Sequence, residues 1–431
     1  MNWKPVYAIL MFLSTFVTWL CGILVDNSES NLRRKVFLII SLVINFGILF
    51  LYKYYDFLNN SVYEALEFFD IRWPVPNLDL LLPVGISFYT FQAVGYTIDV
   101  YRKELKAEKH LGIYALFVSF FPQLVAGPIE RASNLLPQFK REHFLESDRL
   151  VSGIKQMIWG FFMKVVIADR LALFVNAVYS NVNEHNGSTI LIATFLFAFQ
   201  IYCDFAGYSN IAIGSARIMG FDLMTNFNRP YFSVNISEFW HRWHISLSTW
   251  FRDYVYIPLG GNRVSERRGY FNIFLTFVIS GIWHGANWTF FIWGSLHGLY
   301  NIIQKYFRMD KIQFSGFSGQ KALFILVNFT LVLLAWVFFR ANTTGDAFMV
   351  LSKIFTSHGI PFVGSITTFV YGIFGLIILF FREISEEFFP PKLNIFESEN
   401  PVVSALLNAA LIFLIIAIGV FDGGQFIYFQ F

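Results

Sequence analysis

The chain alternates between long apolar runs and short polar connections. Runs of about 20 apolar residues, the length that a hydrocarbon core demands, recur from end to end. The first two cover residues 6–25 and 36–54, and the basic turn NLRRK between them is of the cytoplasmic kind. The connection 56–79 carries more Asp and Glu than Lys and Arg and is assigned to the outside. A third run, LLPVGISFYTFQAVGYTIDV, is rich in Gly, Ser, Thr and Tyr, which allow close helix approach and interhelical hydrogen bonds. The segment LGIYALFVSFFPQLVAGPIER is short for a crossing and holds Pro122, Gly127 and Pro128. It reads as re-entrant, a form tolerated at depth where protein buries it or where it lines a cavity.

Two long helices are expected at 150–179 and 189–219, then spans near 323–339, 367–381 and 402–420, with an amphipathic segment at 346–355. The acidic stretch 382–399 fits no simple alternating topology, and the expected count is eight to eleven spans. The N-terminal run is too long for a signal-peptide core and lacks a small-residue cleavage site, so it reads as a retained span.

Composition agrees: 56% of residues are hydrophobic and 14% charged, too few charges for a soluble surface of this size. The alternating ten-residue segments of a transmembrane barrel are missing. The expectation is an all-α polytopic membrane protein, forming a single integral membrane domain over 1–431. A net charge of +3 gives no argument for nucleic acid. Cys21 and Cys203 lie in apolar runs at no zinc spacing and read as small buried hydrophobes.

Four of the eight histidines fall between Ser237 and His297. Asn235 followed by Glu238 predicts a helix start, and Pro258 with Gly260 and Gly261 a stop. On one continuous helix, Phe239, Trp243, Leu247, Trp250 and Tyr254 form an apolar stripe. The opposite face gathers Ser237, His241, His244, Ser248 and Arg252, the pattern of an interfacial or cavity-lining helix. A plain interfacial helix with snorkelling Arg242 and Arg252 is the competing reading.

His284 lies in SGIWHGANW, between Trp283 and Trp288, where Gly281 and Gly285 permit close backbone approach. A neutral imidazole buried there can take a proton from a hydroxyl; a satisfied structural histidine is the alternative. His297 reads as structural. The chain has no G-x-S-x-G elbow, P-loop or H-E-x-x-H motif. No carboxylate cluster accompanies the histidines beyond Glu238 and Asp253, so no metal site is expected.

These residues resemble the membrane-bound O-acyltransferase family. The likeness is carried by RPYF, by EFWHRWHISLSTWFRDYVYIPLGGNR and by SGIWHGANWTFFIWGSLHG, and it is strongest to the bacterial alginate O-acetyltransferase branch. Upstream, LLPVGISFYTFQAVGYTIDVYR, FFPQLVAGPIERA and QIYCDFAGYSNIAIGSARIMGFDLMTNFNRPYF agree, as does the closing FIYFQF. Family members usually begin with a further hydrophobic region, which points to a shortened member or a start assigned downstream.

The resemblance implies a ring of tilted helices with re-entrant segments around a central tunnel. It implies His284 as the catalytic histidine and His244 as its second. The donor it implies is cytoplasmic acetyl-CoA as a substrate rather than a cofactor, and the acceptor an extracytoplasmic polysaccharide. An SGNH-type acetyltransferase outside the membrane is the implied partner, and the bacterial inner membrane the implied location. His244 or Asn287 is expected to stabilise the oxyanion or orient the base. Arg252, Arg263, Arg267 and Arg268 are expected to face the donor's phosphates. Trp283, His241 and Asp253 complete the candidate binding residues. An acetyl conduit that hands its cargo to the SGNH enzyme without esterifying the glycan is the alternative.

Overall fold

A computed structural model describes residues 6–431 apart from 126, 313, 315, 391–395, 397, 399, 423–425 and 427–431. The closing FIYFQF therefore lies outside the described residues except for Phe426. The described residues hold eighteen α-helices and no strand. Six helices among them are long and apolar enough to cross a membrane, fewer than the expected eight to eleven spans. The helices Glu266–His284 and Trp288–Tyr306 reach spanning length at 19 residues each but are not in that apolar set. The chain forms two compact units, residues 1–145 with 219–224, and 146–218 with 225–431.

In the first unit, α1 (Val6–Asp26) and α2 (Asn31–Leu49) are joined by a short turn. A π-helical turn, Phe50–Tyr54, runs α2 on into α3 (Tyr55–Glu67). α4 (Ile86–Tyr101) starts later than its apolar run because Gly85, at φ 78°, turns the chain left-handed first. Arg34, from the basic turn, is buried and donates to the carbonyls of Val25, Val100 and Tyr101. One cation thus caps the ends of both α1 and α4, where carbonyls lack partners and the helix dipole is negative.

The segment read as re-entrant is broken as expected. α5 (Leu111–Ser119) and the four-residue α6 (Phe121–Leu124) are interrupted at Phe120, with Pro122 at the start of α6. Nine residues rise only about 14 Å. The Phe117 carbonyl accepts from Gln92 at 2.6 Å and from Gln123 at 3.1 Å, so side chains replace a missing helix bond. α7 (Ala132–Gln138) completes this unit.

The second unit opens with α8 (Ser147–Phe161), a π-helical stretch Phe162–Ala168, and α9 (Asp169–Tyr179). α10 (Gly187–Ile218) is its buried central helix. Where one helix was expected from Asn235 to Pro258, there are two. α11 (Ile236–Arg242) ends at Trp243, and α12 (Ile245–Phe251) begins after His244, whose φ is 43°. The cause is the preceding loop: Asn228 N–H donates to the Arg242 carbonyl, and Ile245 N–H to the Asn226 carbonyl. The loop takes over backbone groups that a continuous helix would pair within itself.

α13 (Glu266–His284) and α14 (Trp288–Tyr306) form the hairpin that carries the other two histidines. A Cβ added to Gly281 would lie 2.4 Å from the Phe290 carbonyl oxygen, so these helices touch backbone to backbone. α15 (Gly319–Arg340), α16 (Thr344–Thr356), α17 (Ile366–Phe388) and α18 (Pro401–Ile418) follow.

The acidic stretch that fitted no topology begins inside α17. Glu387 accepts from both terminal nitrogens of Arg242 at 2.9 and 3.0 Å and pairs with Arg229 at 3.0 Å. Glu386 pairs with Arg229 and Arg382, and Glu238 with Arg242. These carboxylates are neutralised inside the protein, so they carry no information about which side of the bilayer they face.

Candidate active site

His284 is the last residue of α13 and is buried. Its ring meets Trp283 and Trp293 edge to face, each at 4.9 Å between centroids, and Phe339 at 5.4 Å. Gly285 next to it is extended, and a Cβ there would strike the Phe290 ring. The hairpin therefore packs His284 against α14 at a point where only glycine fits.

His244 is wholly buried. Its Nδ1 lies 3.1 Å from Asn226 Oδ1. That same oxygen accepts from the Ser246 backbone N–H at 3.2 Å and the Ser246 hydroxyl at 2.9 Å. A backbone N–H can only donate, so the Asn226 atom facing it is the oxygen, and His244 Nδ1 must carry the proton. The proton-accepting nitrogen of the ring is then Nε2. Asn226 is itself held by its Nδ2 donating to Ser209 at 3.2 Å. His244 lies outside the six candidate spans, and burial pushes its pKa down to about 3, so the ring is neutral.

Trp283 sits between the two histidines, its ring 6.4 Å from His244 and 4.9 Å from His284. The two imidazoles thus flank one indole. Neither shares a face with His241, which is exposed and turns its Nδ1 toward the Ser237 carbonyl. The break between α11 and α12 causes this separation, because it ends the helical phase on which the shared face was drawn. His297 is buried, and its Nδ1 accepts from Trp240 Nε1 at 3.3 Å.

A cavity of about 740 Å³ is walled by α11, α12, α13 and the far end of α14. Gly269, Ile273, Thr276 and Ser280 line it from α13. Their spacing marks one helical face, and one more turn along that face brings His284. Phe251 also lines it and meets Trp283 at 6.5 Å, so the cavity ends one ring short of both histidines. His241 and Arg252 line the cavity.

The remaining expected residues are placed as follows. Arg252 is bonded to Asp253 at 2.7 Å, which tempers its charge. Arg263, Arg267 and Arg268 are not among the lining residues; Lys305 is, together with Glu266 and Asp310. Asn287 caps α14, accepting from Thr289 N–H at 3.0 Å and donating to the Asn342 carbonyl at 2.9 Å. Sequence reasoning missed Asn226, Ser280 and Lys305, which no local spacing singles out. Asn226 does stand in the MTNFNRPYF block that carried the resemblance.

The profile of the membrane-bound O-acyltransferase family matches residues 102–345, which include both buried histidines of the site. The chain is 39% identical to the probable alginate O-acetylase AlgI of Pseudomonas aeruginosa over 358 residues, 82% of this chain and 67% of that protein. It is 36% identical to a peptidoglycan O-acetyltransferase of Helicobacter pylori over 386 residues, 83% of this chain and 72% of that protein. A teichoic acid D-alanyltransferase of Bacillus subtilis is 31% identical over 244 residues, 54% of this chain and 62% of that protein. The chain thus spans 62% to 72% of the length of these relatives. Matches of this extent, running through the site and far beyond it, make the chain a multi-pass membrane protein of the transferase class: it belongs to the membrane-bound O-acyltransferase family.

Proposed function

We propose that this protein moves an acetyl group from acetyl-CoA, taken up on the cytoplasmic side of the bacterial inner membrane, to a hydroxyl destined for an extracytoplasmic polysaccharide. The observation that carries the reading is the pair of buried imidazoles packed on Trp283, whose ring meets Phe251 of the cavity wall. Relatives named for alginate and peptidoglycan acetylation support the acceptor class.

In the proposed reaction a ring nitrogen of His284 takes the proton of the acceptor hydroxyl as its oxygen attacks the thioester carbon. The new C–O bond forms, the carbonyl electrons move to oxygen, and collapse of that oxyanion breaks the C–S bond. The thiolate leaves and takes the proton back from the imidazolium. One alcohol and one thioester become one ester and one thiol. The one hydroxyl proton goes to His284, and His244, a neutral ring whose Nδ1–H points at Asn226, packs on Trp283 and so helps hold the indole beside His284. The acceptor oxygen belongs to the sugar or to a serine of an SGNH-type partner.

His284→Ala should lower acetyl transfer by about 10² to 10⁴, the usual worth of a general base, in protein that assembles normally. Full acetylation by that variant would refute the assignment. Acetyl export by purified protein, with and without an SGNH enzyme, separates direct transfer from a conduit: ester formed on a glycan without the partner rules the conduit out.

A further inference from the structure

The oxyanion in this reaction needs a hydrogen-bond donor, and the two residues expected to provide one are poorly suited. Both ends of the Asn287 amide are bonded to backbone. His244 offers an acceptor rather than a donor, since its Nδ1–H faces Asn226.

Beside His284 lies a cluster of a different character. Trp293 is fully buried, and its ring touches His284 at 4.9 Å, His297 at 5.0 Å and Trp336 at 5.9 Å. His297 Nδ1 accepts from the Trp240 indole, which can only donate, so His297 carries its proton on Nε2. Trp293 Nε1, Trp336 Nε1 and His297 Nε2 are all buried and have no hydrogen-bond partner among the described residues. Three N–H donors without a protein acceptor therefore meet in one aromatic cluster. Buried donors are nearly always paired, so such a grouping asks for an acceptor oxygen from outside the protein fold.

We propose that Trp293 is a catalytic residue whose indole N–H binds the acyl carbonyl oxygen and stabilises the oxyanion formed when His284 activates the acceptor. Trp336 and His297 stand behind it as positioning residues, holding the Trp293 ring through the 5.9 and 5.0 Å ring contacts. The cluster is built mainly of aromatic rings, so a donor within it acts in a low dielectric where it counts most. No proton leaves Trp293; it lends a hydrogen bond that strengthens as charge gathers on oxygen. The inference rests on the proposed acyl transfer at His284, and the test keeps the two apart.

Trp293→Phe retains an aromatic ring but removes the N–H together with part of the indole's bulk, so the readouts must separate a lost donor from lost packing. In full-length protein in membrane vesicles with acetyl-CoA, kcat should fall on the order of 10²-fold with KM little changed. Its pH profile should keep the wild-type form, because the base is intact. With acetyl dithioester CoA, in which sulfur replaces the carbonyl oxygen and accepts hydrogen bonds poorly, the wild-type to variant ratio should collapse toward one. A repacked core would lower both rates alike, so an unchanged ratio overturns the proposal. Wild-type kcat in Trp293→Phe, alongside a large loss in His284→Gln, also overturns it and leaves the base assignment standing. Wild-type rate in His284→Gln refutes the base instead. As a second readout, the 15N resonance of the Trp293 indole should shift when the ketone analogue of acetyl-CoA, with methylene in place of sulfur, is added. An unmoved resonance at saturating analogue counts against the proposal.

Discussion

His244 should leave a measurable mark on stability as pH falls. Burial holds its folded pKa at about 3, against 6.5 for an ordinary histidine. Between those values the unfolded chain binds a proton that the folded protein refuses. The folded state therefore keeps its full stability above about pH 6.5 and loses it progressively as pH falls toward 3. From pH 7.5 to 4.5 only the two units below 6.5 count, and at about 1.4 kcal/mol each they amount to about 3 kcal/mol. The clean comparison is His244→Asn. Asparagine tolerates the left-handed backbone at this position (φ 43°), and its amide can still donate to Asn226. The variant does not titrate, so the assay is the slope of unfolding free energy against pH, not its level. Thermal or denaturant unfolding in detergent, followed from pH 7.5 to 4.5, should give a wild-type slope steeper by about one proton below pH 6. Parallel slopes would show that His244 protonates freely in the folded protein and would refute the buried, neutral, Nδ1-donating imidazole.

Gly281→Val should separate α13 from α14, since its Cβ alone would lie 2.4 Å from the Phe290 carbonyl. A loss of about 1–3 kcal/mol in melting experiments, with transfer abolished, is expected. Gly269→Ala, on the same helix but with nothing within 4 Å of its Cβ, should be neutral or stabilising. Arg242→Lys keeps the charge but not the paired bonds to Glu387. A double-mutant cycle with Glu387→Gln should give a coupling of at least about 1 kcal/mol, and an additive pair would remove α17 as a support for α11.

The sequence alone carried the helical class, because apolar runs of membrane length leave no other way to pair the backbone. It also singled out His284 as a histidine among tryptophans and glycines in an apolar helix, and the structure finds it buried against Trp283 and Trp293. The long motifs made the family legible from end to end. Local periodicity failed where distant chain intervened. The stripe drawn through residues 239–254 assumed an unbroken helix, and Asn226 with Asn228 breaks it by bonding the backbone around His244. Charge counting failed for the same reason: Glu386 and Glu387 looked like part of a loop until Arg229 and Arg242, more than a hundred residues earlier, were seen to neutralise them.

The tautomer of His244, the junction of two histidines at one indole and the donors gathered around Trp293 are facts of neighbours far apart in sequence. A histidine's presence is written in the chain, but which nitrogen holds its proton depends on an asparagine eighteen residues away, and only folding brings the two together.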